Sequence, residues 1–232
     1  MPPSNVVEFV SKAEREHMLG VVVLLPLARL IESGKIDPET VSRSKFFAAI
    51  DKLGKSHDSA YEIYVDECEE QISLIAHCIS ANAPSQAIVL LFTLIEGEIN
   101  ALLRMLFRIK GFTNNEISNA LQGTDFETKI NVMLPLLDVK VPARMRNTAL
   151  QCKAIRNIVV HNKATPNLMC REGDKASDTD NARLRASKFF AETPLKRIGK
   201  DLEKFTSDGL YESWAVQWAT HLFDKFYKNS EA

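Results

Sequence analysis

The stretch "LIEGEINALLRML", residues 94 to 106, decides the fold class. At about 100° per residue, Leu94, Ile95, Glu98, Leu102 and Met105 share one side of a helix, with Leu91 before them and Ile109 after. Glu96 falls instead on a polar side with Thr93, Asn100 and Arg104. This is helical period, and no run in the chain sustains the alternation of a half-buried strand. The expectation is an all-α protein with helices near 5–33, 38–53, 58–81, 85–110, 113–121, 125–137, 142–161, 180–205 and 208–228. "DPET" at 37, "ANAPSQ" at 81 and "TSDG" at 206 supply caps or a first-turn proline, and Gly111 suits a helix end. The turn signal "SANAPS" divides an amino-terminal helical region, 1–82, from a helical bundle, 83–232.

A carboxylate on an apolar side needs a partner, so Glu98 calls for an ion pair within the fold. The 232 residues are enough to bury a core without disulfides. The net charge of -1 excludes bulk attraction to nucleic acid, so any polyanion site must arise from local clustering. Cys68, Cys78, Cys152 and Cys170 form no C-x-x-C pair, and His77 and Cys78 point about 100° apart on a helix, so no metal site and no cofactor are expected. Reduced thiols and no secretory signature fit a cytoplasmic protein. The best membrane candidate, "MLGVVVLLPLARLI" at 18–31, is too short to span and contains Pro26, so no membrane contact is expected.

The clustering lies between Val139 and Arg171, where Lys140, Arg144, Arg146, Lys153, Arg156, Lys163 and Arg171 occur with no Asp or Glu. Seven cations in one run can neutralise phosphates locally, or can form a solvated face paired with acids from other helices. Met145, Thr148, Cys152, Ile155 and Val159 form the stripe expected to face the core. The other side carries Arg146, Lys153, Asn157 and Val160, flanked by Arg156 and His161. An apolar Val160 between Arg and His suggests that another surface covers this face.

Arg followed by His near the end of a helix, here "RNIVVH" at 156–161, resembles the HEPN superfamily of metal-independent ribonucleases and related nucleotide-binding modules. The resemblance covers the bundle at 83–232 and implies a HEPN-type fold with an additional amino-terminal helical region. It implies an RNA endonuclease of toxin or phage-defence type, with Arg156, His161 and Asn157 at the catalytic site and RNA bound by Lys153, Arg146 and Lys163. Imidazole, with a free pKa of about 6.5, suits proton transfer near neutral pH. Guanidinium suits phosphoryl oxygens. Asn157 either orients the imidazole or donates to substrate. Arg156 and His161 lie about 140° apart around a continuous helix, so either the helix unwinds before His161 or two copies of the motif meet across a two-fold axis. The resemblance favours a homodimer with Val160 at the seam. Many HEPN members carry an acid on an early helix, which implies that Glu98 supports Arg156; a structural ion pair elsewhere is the other reading of Glu98. Some HEPN toxins carry a Tyr two positions after the motif His, where a partner enzyme modifies and silences them; here that position is Lys163, which disfavours that chemistry and leaves an inhibitory protein or another regulator open. The rival reading is a catalytically silent HEPN module that binds nucleotide or a protein partner.

Overall fold

The structure, a computed structural model, describes residues 24–55, 68–164 and 178–226. These residues are all-α, with no strand among them. In chain order the helices are α1 (24–32), α2 (Arg43–Lys55), α3 (Cys68–Ser80), α4 (Pro84–Ile109), α5 (Asn114–Gln122), α6 (126–136), α7 (Ala143–Ala164), α8 (Asp178–Glu192), α9 (Leu195–Tyr211) and α10 (Trp214–Phe226).

Local chemistry explains most boundaries. Pro84 opens α4 at the first turn, where its missing N–H removes no helical bond. Gly111 closes that helix at φ 93°, a left-handed conformation that glycine adopts without strain. Thr113 and Glu116 cap each other at the start of α5: the Thr113 N–H donates to Glu116 Oε2 at 2.8 Å, and the Glu116 N–H to Thr113 Oγ1 at 3.4 Å. Asp125 caps α6 by accepting from the N–H groups of Glu127 and Thr128. The middle of α6, Lys129–Met133, is wound as a π-helix. Pro135 accounts for this, because it cannot donate backward and its ring crowds the preceding turn; the wider turn relieves the crowding.

Several boundaries differ from expectation. Asp37 does not start α2: its carboxylate binds the Glu39 N–H and the Thr40 hydroxyl in a turn, and α2 begins after Ser42, whose hydroxyl accepts from the Lys45 N–H. The segment expected as one helix over 180–205 is two, broken at Thr193 and Pro194. "TSDG" at 206 lies inside α9, where the Thr206 hydroxyl donates back to the carbonyls of Leu202 and Glu203 and so opens no new helix. The chain turns instead at Glu212 and Ser213. The expected starts at residues 5 and 58 and most of the polar connection at 162–181 fall outside the described residues; within them, α7 continues to Ala164.

The chain divides into two compact units, one of residues 1–64, 104–118 and 210–232, the other of 65–103 and 119–209. The first has a core built from Leu27, Ile31, Phe46, Ile109, Val216 and Leu222. The second buries Leu91, Ile95 and Leu102 of α4, Ile130 and Leu134 of α6, and Met145, Ala149, Cys152, Ile155 and Val159 of α7. Among the described residues α4 alone is long and apolar enough to cross a membrane, a helix the sequence reading did not single out for that; 61% of its apolar window is buried within the fold.

Candidate functional site

Every residue of the expected site belongs to the second unit, and α7 carries nearly all of them. The core stripe of α7 is as expected: Met145, Cys152, Ile155 and Val159 are buried and Thr148 is half-buried. Burial pushes the Cys152 thiol pKa well up, and its Sγ donates to the Ile88 carbonyl at 3.7 Å, so this cysteine is an inert packing group. Arg146 and His161 are exposed, Arg156 and Asn157 are half-buried, and Val160 is 36% exposed. Lys163 lies on the last turn of α7, and its side chain is outside the described residues.

The helix runs unbroken through His161 to Ala164, so unwinding before His161 does not occur. Arg156 and His161 therefore stay about 140° apart and about 7.5 Å apart along the axis within one chain. Their surroundings differ. Arg156 Nη1 donates to Asn157 Oδ1 at 3.1 Å, and its guanidinium carbon lies 5.5 Å from the centre of the Phe92 ring. Asn157 thus serves Arg156 directly. His161 faces solvent.

The cationic run is partly matched by acids. Lys153 Nζ donates to Glu127 Oε1 at 2.8 Å, and Arg144 pairs with Asp201. Asp125 also feels the Lys153 charge, although bonds from the Thr128 hydroxyl and backbone are the larger reason that its carboxyl is held below the usual range. Of the residues expected to meet RNA, Arg146 is open and Lys153 is already engaged.

Glu98 is buried at 7% exposure, as its place on the apolar side of α4 requires. The other buried charged residue among those described is Lys129, at 5%, in the π-helical turn of α6. Its Nζ lies 3.8 Å from Glu96 Oε1, an ion pair that the sequence did not reveal. Phe92 was also missed, since nothing in its local sequence distinguishes it from a core phenylalanine. Among the described residues no three His, Cys, Asp or Glu side chains gather as metal ligands. No protein-family model matches this sequence, and neither does any curated protein or solved structure.

Proposed function

We propose that the chain is a metal-independent RNA endonuclease of toxin or phage-defence type, in which Arg156 and His161 act together at a homodimer seam. One contrast carries the reading: on a single unbroken helix, Arg156 is held by Asn157 and Phe92 while His161 stands open to solvent. A held guanidinium suits the phosphoryl oxygens, whose charge grows as the phosphorane forms. An open imidazole suits proton transfer, either from the attacking 2′-hydroxyl or to the departing 5′-oxygen. The 2′-oxygen forms the new bond to phosphorus and the bond to the 5′-oxygen breaks, leaving a 2′,3′-cyclic phosphate and a 5′-hydroxyl. Two copies of α7 meeting near Val160 would place one chain's guanidinium beside the other's imidazole, which one helix cannot do alone.

The test is incubation of the purified protein and its His161→Ala variant with total RNA in EDTA. Cleavage by the parent alone, with cyclic phosphate ends, is the expected result. A strict Mg²⁺ requirement, or cutting of RNA that lacks the attacking 2′-hydroxyl, would refute the mechanism.

A catalytically silent module binding nucleotide or a protein partner is the second reading. It is favoured by the pairing of Lys153 with Glu127 and of Arg144 with Asp201, which removes part of the positive field an RNA enzyme uses. Under that reading nucleotide or partner binding is found and no RNA is cut.

A further inference from the structure

Arginine has a long side chain with considerable rotamer freedom, and a guanidinium left to wander must be ordered each time it meets a phosphate. Arg156 is not left to wander. Its guanidinium lies over the Phe92 ring and is tied to Asn157 Oδ1 on the same helix. The ring is itself fixed, because Phe92 is 5% exposed and meets Phe126, 4% exposed, edge-on with centroids 4.9 Å apart and planes at 66°. Phe92 belongs to α4 and Phe126 opens α6 beside its Asp125 cap. Three helices thus converge on one cation.

We propose that Phe92 is a positioning residue for Arg156: its ring, braced by Phe126, fixes the guanidinium from below while Asn157 fixes it from the side, leaving the remaining N–H groups aimed at a phosphoryl oxygen. This deepens the endonuclease reading and rests on Arg156 being the phosphate-binding group. Ring and guanidinium attract through the quadrupole of the aromatic face, which an aliphatic side chain of similar volume lacks. The ring offers no competing acceptor, unlike a carboxylate, so the positive charge stays available to substrate. Glu98, expected from the sequence to support Arg156, lies about 120° around α4 from Phe92 and about 9 Å further along. The aromatic contact is therefore a separate support.

Two measurements on the full chain decide this. The first needs no catalysis. In the parent, the Arg156 δ-methylene and Nε–H proton resonances, assigned by comparison with Arg156→Lys, should be shifted upfield by the ring current. Phe92→Leu should remove that shift and Phe92→Tyr should keep it. Random-coil positions for these protons in the parent would overturn the proposal outright, whether or not the variants fold.

The second is kinetic. Phe92→Leu should lower kcat/KM for RNA about tenfold, Phe92→Tyr should restore most of it, and in an Arg156→Ala background Phe92→Leu should cost nothing further. An equal loss in both backgrounds would mean that Phe92 only supports the fold, and would overturn the positioning role. If the parent cuts no RNA, the endonuclease reading fails while the ring-current result still decides where the guanidinium is held.

Discussion

Gly97 and Gly209 are both helical glycines of the same unit, and the structure assigns opposite signs to the same substitution at each. Replacing a helical glycine by alanine normally stabilises by about 0.5–1 kcal/mol, because alanine loses less backbone entropy on folding. At Gly97 in α4 a Cβ would meet nothing within 4 Å, so Gly97→Ala should gain that full amount. At Gly209 in α9 the new Cβ would lie 2.9 Å from Leu102 Cδ2 and 3.2 Å from Val139 Cγ1. Leu102 and Val139 are both buried, so neither can swing into open space. Overpacking of this kind costs about 1–3 kcal/mol, which outweighs the helix gain and leaves Gly209→Ala destabilising. Since the propensity gain is common to both variants, their difference isolates the overpacking cost at about 1–3 kcal/mol. Urea denaturation followed by far-UV circular dichroism measures it, with m-values equal to the parent's showing that the denatured state is unchanged. A Gly209→Ala midpoint at or above that of Gly97→Ala would refute the close approach of α9 to α4 at Leu102.

Arg156→Ala and His161→Ala should each abolish most RNA cleavage while leaving helical content and melting near the parent's, since neither side chain is in the core; parent-like cleavage by both would mean the site lies elsewhere. Val160→Asp should shift the protein toward monomer in sedimentation without unfolding it, and mixing Arg156→Ala with His161→Ala subunits should restore part of the activity. A parent that cleaves at full rate as a monomer would end the composite-site idea. Asp37, Glu116 and Asp125 all have carboxyl pKa values held below the usual range by hydrogen bonds from neighbouring threonines and backbone N–H groups. They bind protons more readily unfolded than folded, so their stabilisation is complete above the ordinary carboxylate value of about 4 and is lost as pH falls below it. Asp125→Asn should flatten that acid-side loss in melting experiments, and an unchanged acid limb would refute its capping role.

What the sequence discloses here is periodic. The core stripes of α4 and α7 follow from spacing alone, because a helix sorts its own residues by face and the solvent decides which face is buried. Breaks between helices are less legible. Apolar residues continue on both sides of Pro194, so the period masks a proline that stands just ahead of α9 and ends the helix before it. Thr206 has the chemistry of a cap, yet its hydroxyl bonds backward to carbonyls within the helix, so the same residue type that opens a helix elsewhere continues one here. The candidate site divides the same way. Arg156, Asn157 and His161 are legible because they share one short stretch of helix. The Phe92 ring under Arg156 and the acids on Lys153 and Arg144 come from other helices, and no single-helix pattern can indicate which neighbour covers which face.

Those acids bear on how RNA would be held. Each phosphate neutralised on a single strand contributes roughly 0.7 to the slope of log affinity against log salt. If all seven cations of the run met phosphates, the slope would approach about 5 per chain. Arg144 is paired with Asp201 and Lys153 with Glu127, so substrate must displace a carboxylate before using either charge. The parent's slope should therefore stay at or below about 3.5, the value for five contacts. Glu127→Gln would release Lys153 and should steepen the slope by about 0.7 while raising affinity at low salt. Fluorescence anisotropy with labelled single-stranded RNA and the His161→Ala protein, which under the proposed function should bind without cutting, would measure both. A parent slope near 5, or a Glu127→Gln slope equal to the parent's, would show that the Lys153–Glu127 pair does not restrain the cationic face of α7.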